Sequence, residues 1–188
     1  MSKGADGSMH RHSYLFLLRS MNMEKMTIGQ AQKITSPNPF AILTVKKPDG
    51  TTNAMAVSWW NYASNHPATI TVCLSQKGFS GECILKEGYF GLNLPTEEIK
   101  DAAFMCGTCS GRDTDKASKF GLPMVDAEGF NQKMIDKCAL WMSCKLVNNI
   151  EIGDHRMYIA EVENIVGQEG ALPVFAFGGY SKLSKVDQ

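Results

Sequence analysis

Between Phe40 and Phe177 the chain runs through short β-branched and aromatic stretches divided by turn signals, and no long helix alternates with them. That order argues against a doubly wound parallel sheet, whose strands need helical crossovers. Phe40–Val45 and Thr51–Trp60 read as strands joined by Pro48-Asp49-Gly50, a turn in which Pro presets φ and Gly takes the awkward one. After His66-Pro67, Ala68–Leu74 is a third strand; Ser80 is placed to N-cap a helix through Glu87, closed by Gly88. Tyr89–Leu94 follows as a strand, and Thr96 opens a helix to about Met105. Asp113 is expected to cap a short helix ending at Gly121. Leu140–Ile152 and Met157–Val166 form a long hairpin about Gly153-Asp154-His155, and Val174–Phe177 comes last, before Gly178-Gly179-Tyr180. At least six hairpin-linked strands with two or three short helices predict a mainly β fold. An antiparallel barrel is the natural solution, because closure removes sheet edges.

The length of 188 residues suits one domain. Residues 1–22 have a linker-like start and several methionines, so we read them as a tail or expression remnant and 23–188 as the domain. Lys+Arg and Asp+Glu are 19 each, which gives no nucleic-acid footprint and no attraction to an anionic membrane. The longest apolar run near the start, Tyr14–Leu18, is too short to cross a bilayer. A cytoplasmic protein is expected, with its six cysteines reduced.

Phosphate-loop, dinucleotide-fingerprint, nucleophile-elbow and zincin motifs are absent. Four segments remain. Ser75-Gln-Lys-Gly-Phe-Ser80, between a strand and a helix, offers hydroxyls, Lys77 and helix N-terminal amides to an anion; an ordinary polar loop is the plainer alternative. In Asn53–Trp60, strand alternation puts Asn53, Met55, Val57 and Trp59 on one face and Ala54, Ala56, Ser58 and Trp60 on the other. The second face has room for a flat ring, or the tryptophans simply fill a core. Cys106-Gly-Thr-Cys109 follows a helix rather than opening one, the wrong end for a low-pKa dithiol. Cys138 and Cys144, roughly 20 Å apart on a straight strand, cannot both complete a metal site with it. No metal site is expected, and incidental thiols are the simpler reading. Ser110–Lys116 is by itself a charged helix start, with Lys116 pairing back to Asp113.

Taken together, Ser36-Pro-Asn-Pro-Phe-Ala-Ile-Leu43, Asp49-Gly-Thr-Thr-Asn53, Ser58-Trp-Trp60, Ser110-Gly-Arg-Asp-x-Asp-Lys116 and Gly153-Asp-His155 resemble, in order and spacing, the flavin reductase-like proteins and their flavoredoxin-type FMN members. The resemblance runs from about residue 27 to Leu183. It implies a Greek-key split β-barrel that binds FMN, commonly as a homodimer with flavin near the interface. It implies that Thr44, Asn53, Ala54, Ala56, Ser58 and Trp59 approach the ring and ribityl chain, and that Ser75, Lys77 and Ser80 hold the phosphate. Gly78 and Phe79 depart from the family's clustered hydroxyls there. Arg112, Lys116, His155 and Tyr180 are candidates for the exposed flavin edge or the substrate; for His155 a tight hairpin that satisfies its own backbone serves equally well. The implied activity is electron transfer from NAD(P)H or a protein donor, through FMN, to flavin, ferric iron or a redox partner. No protein nucleophile or general acid is required. The alternative is a non-enzymatic electron carrier. A dithiol relay through Cys106 and Cys109, or a barrel without flavin, are further readings.

Overall fold

The computed structural model describes residues 24–186; the expected tail over 1–22 lies outside them. In chain order the elements are α1 (Ile28–Ile34), β1 (Asn38–Pro39), β2 (Ala41–Lys46), β3 (Thr52–Val57), β4 (Trp60–Asn65), β5 (Ala68–Ser75), α2 (Phe79–Glu87), β6 (Tyr89–Pro95), a 3-10 turn (Glu97–Ile99), α3 (Lys100–Met105), α4 (Lys116–Phe120), β7 (Met124–Val125), β8 (Met134–Ile135), β9 (Cys138–Ile152), β10 (His155–Gly167), β11 (Val174–Phe177) and β12 (Lys182–Lys185). Seven strands form one antiparallel sheet in the order β3-β2-β6-β9-β10-β5-β4. Its two edge strands, β3 and β4, follow each other in sequence, so the sheet curls until its edges meet where the chain crosses at Ser58-Trp59. The fold is the mainly β antiparallel split barrel that the resemblance implied.

Two apolar clusters hold it. The barrel interior packs Leu43, Val57, Trp60, Val72, Phe90, Met142 and Tyr158, with Cys83 and Ile84 of α2 among them. Outside the barrel, Phe40, Ile42 and Ala54 pack under Ala103 and Cys106 and against Val174, Ala176 and Leu183. β2 is therefore covered on both faces, which is why Phe40–Val45 reads as a nearly continuous apolar run rather than an alternation.

Several expected boundaries move, each for a local reason. The strand expected over Thr51–Trp60 stops at Val57, and the chain crosses at Ser58-Trp59, where Trp59 O accepts the Cys73 N–H at 2.8 Å, so Trp60 turns into the interior beside Val57 instead of sharing the face of Ala54 and Ala56. β4 was not anticipated; its residues after Trp60 are exposed and polar, so no alternation announces it. α2 begins at Phe79 with Gly78 as N-cap, and Ser80 lies inside the helix, its hydroxyl engaged elsewhere. Asp115, not Asp113, caps α4, accepting from Ser118 N–H at 3.2 Å. The helix expected from Thr96 opens as a 3-10 turn, and the Thr96 hydroxyl donates to Lys137 O across the gap to β9. No helix among the described residues is long and apolar enough to cross a membrane.

Candidate functional site

The seam between the sheet edges is where the chemistry gathers. β3 pairs only with β2, so alternate peptide groups along its other side face the gap rather than a neighbouring strand. A cleft of ≈ 410 Å³ occupies that gap, walled by Met55–Trp59 on one side and Cys73–Ser75 on the other, with His155 and Tyr180 at its ends. This is the size of a small-molecule site, about 300–1,000 Å³. Of the sequence candidates, Ala56, Ser58, Trp59, Ser75, His155 and Tyr180 line it together.

Tyr180 is tied to the seam through its hydroxyl, which accepts the Ser58 N–H at 2.7 Å. Its ring stands edge-on to Phe40 at 6.1 Å. Burial of the hydroxyl pushes its pKa up, against the opposing effect of the Ser58 hydrogen bond. At neutral pH it is an uncharged phenol whose own proton is left to donate into the cleft. Trp59, 42% exposed, covers the mouth with its ring 4.7 Å from the His155 ring at 31°. Asp154 Oδ1 lies 2.8 Å from His155 Nδ1, and that hydrogen bond holds the Asp154 carboxyl below its usual range. Gln76 pins this turn to the Ser75 loop: its N–H donates to Asp154 O at 3.1 Å and its side-chain amide to Gly153 O at 2.9 Å.

At the start of β3, Asn53 Nδ2 donates to Ser80 Oγ at 2.9 Å, tying the strand to the first turn of α2. Asn53 Oδ1 is buried without a partner. No side chain caps α2, so its first N–H groups point outward beside Ser75 and the exposed Lys77, which has no ion pair among the described residues. The segment 107–112 lies across this end. Gly111 approaches Asn53 so closely that a Cβ would collide with its side chain, and a Cβ on Gly107 would stand 3.2 Å from that of Ala56. Arg112 follows, its guanidinium 4.7 Å over the Phe79 ring and 2.6 Å from Glu82 Oε1.

Thr44 and Ala54, expected near the ring by side chain or backbone, are not among the residues lining the cleft: both are buried, and Thr44 Oγ1 accepts from Asn93 Nδ2 at 3.1 Å. One expectation is corrected. Lys116 does not pair with Asp113, which lies ahead of the helix; it is 4% exposed and donates to Cys106 O at 2.7 Å. Burial lowers its pKa. The Cys106 thiol is sealed into the outer core and pushed up to about 12 by burial, so it is a packing thiol rather than a ready nucleophile. Cys138 and Cys144 belong to opposite clusters, and no group of three or more metal-ligating side chains occurs among the described residues. Sequence reasoning missed Cys73, Leu74 and Gly111; β5 becomes a cleft wall only when the barrel curls, a signal no single strand carries.

Residues 34–184 match a family model described as flavin reductase like domain. An uncharacterised protein of Archaeoglobus fulgidus is 26% identical over 121 residues, 64% of this chain and 66% of that protein. The reductase component of a 4-nitrophenol 4-monooxygenase/4-nitrocatechol 2-monooxygenase from Rhodococcus opacus is 28% identical over 114 residues, 61% of this chain and 58% of that one. The chain thus spans less than two thirds of the length of each of these relatives. Among solved structures, flavoredoxin of Desulfovibrio vulgaris (Miyazaki F) superposes with a TM-score of 0.76 at 22% identity, over 88% of this chain and 94% of that one, a likeness of fold.

Proposed function

The chain belongs to the flavin reductase-like family, and on that premise we propose that it holds FMN in the seam cleft and passes electrons through it from NAD(P)H to a flavin, ferric or protein acceptor. The observation that carries this reading is the unsatisfied polar rim along one free strand edge. α2 has no side-chain cap, and β3 has no neighbour on the gap side. Together these suit a flat, amide-rich ring on a phosphate-bearing chain. The flavin ring would lie along Ala56–Trp59, with Ser58 and Tyr180 at its polar edge. The phosphate would meet the α2 N-terminus, Ser75, Lys77 and the Asn53–Ser80 pair, with Arg112 beside them. Bound flavin would accept two electrons from a reduced nicotinamide and release them singly or in pairs. The protein's share is to bind and orient. Trp59 and His155, their rings 4.7 Å apart and tilted by 31°, stand at the mouth where a nicotinamide ring would arrive.

A cytoplasmic homodimer is part of this reading. The relatives that serve as reductase components of monooxygenases support an enzyme over a carrier. Steady-state oxidation of NADH and NADPH by the FMN-loaded protein, with free flavin or ferric chelate as acceptor, separates the two. Multiple turnovers are expected; a loaded protein that exchanges electrons with a protein donor but leaves both nicotinamides unoxidised is a carrier, and the reductase reading falls.

A further inference from the structure

Lys116 is the one charged side chain among the buried residues described. It is 4% exposed and opens α4, the end of a helix that disfavours a cation. Its ammonium donates to Cys106 O at 2.7 Å and has no ion pair among the described residues. Asp113 and Asp115, the nearest carboxylates in sequence, are exposed, and Asp115 is taken up by Ser118. Burial lowers the Lys116 pKa, and beyond burial it feels the Cys106 and Cys109 thiols but no carboxylate. A methionine would fill the same space without the cost of a buried, unpaired charge. A lysine kept there breaks a local rule, as residues of functional sites do.

The carbonyl it holds begins the turn that walls the candidate flavin cleft. On Gly107, the next residue, a Cβ would stand 3.2 Å from that of Ala56. Gly107 and Thr108 line a pocket of ≈ 290 Å³ that shares Ala56 and Tyr180 with the seam. The buried charge therefore sits one residue behind the cleft wall. The other cations at this end are engaged or set apart: Arg112 pairs with Glu82 at 2.6 Å, and Lys77 is exposed ahead of α2. A neutral flavin ring that takes up two electrons and one proton gains one negative charge. Resting on the flavin reading above, we propose that Lys116 tunes the site: its ammonium, held behind the Ala56–Gly107 wall, favours the reduced, more negative form of a bound flavin. A unit charge within about 10 Å, in an effective dielectric of about 20, is worth roughly a tenfold factor.

The test compares oxidised and reduced FMN, titrated without oxygen into the full natural chain, into Lys116→Met and into Leu122→Val, an uncharged change in the outer core just after α4. The natural chain should bind reduced FMN about tenfold more tightly than oxidised FMN, which by linkage sets the midpoint potential of the bound pair about 30 mV above that of free FMN. Lys116→Met should lose most of that preference, and its bound FMN should fall back toward the free potential. Leu122→Val should keep it. The inference is overturned if the natural chain prefers the oxidised form, if Lys116→Met keeps the full preference, or if Leu122→Val loses it as well. A natural chain that takes up neither form overturns the flavin reading itself, and this inference with it; uptake of both forms without a preference overturns this inference alone.

Discussion

Asn53 commits half of its amide to Ser80 and leaves the other half buried against Gly111 without a partner. Tyr180 is the complementary case at the far end of β3. Its hydroxyl is the acceptor that the Ser58 N–H would otherwise lack. Tyr180→Phe should therefore cost about 1–2 kcal/mol in urea unfolding, the penalty for one orphaned donor, and should weaken FMN binding. An unchanged midpoint and an unchanged affinity would remove Tyr180 from the site. Lys116 was expected as a surface cation because a lysine two residues after an Asp-Thr pair has no mark of burial in sequence; only the packing of α4 under the 106–109 turn reveals it. Its pKa lies below the ordinary 10.5, so the unfolded chain binds that proton more tightly than the fold. The burden is present while the amine is charged and lifts as pH climbs through the folded pKa toward 10.5. Relative to Lys116→Met, the natural protein should thus gain stability on going alkaline; a difference flat with pH would contradict the assignment.

At the scale of elements, the site is one strand edge and one helix end brought together by a loop. Asn53–Ser80 ties β3 to α2, and the 107–112 segment lies over the tie because Gly107 and Gly111 have no Cβ. Gly111→Ala would drive a methyl into the Asn53 amide, so it should break the tie, lose roughly 1–3 kcal/mol of stability and lower FMN affinity together. Chemical denaturation and flavin titration on the same variant check both. Much of this was readable beforehand. The β2–β3 hairpin is announced by Pro48-Asp49-Gly50, and Ser75–Ser80 is legible as a polar strand-to-helix connection, whether or not it takes an anion. The role of Ser80 was not, because a serine near a helix start looks the same whether it caps the helix or accepts from a strand behind it.

For the whole molecule, the deciding event is closure. Sequence alternation announces strands, but which of them become edges depends on pairings between residues as distant as Thr71 and Ile159. That is why the barrel was legible from hairpins and turn chemistry while the cleft's second wall, β5, was not. It also places the candidate flavin cleft where β3 and the end of β5 face each other without a ladder between them, so a bound molecule would act as a wedge between the two strands. FMN at a hundredfold excess over its dissociation constant should then raise stability by about 2.7 kcal/mol, seen as a higher melting temperature, with no such gain from riboflavin if the phosphate cradle supplies the affinity. The most direct measurement is the visible spectrum of the purified full chain after incubation with FMN and removal of the excess. Flavin absorbance that stays with the protein, and FMN released on denaturation, is the predicted result. A chain that remains colourless would contradict the account and return Asn53, Lys77 and the free edge of β3 to ordinary structure.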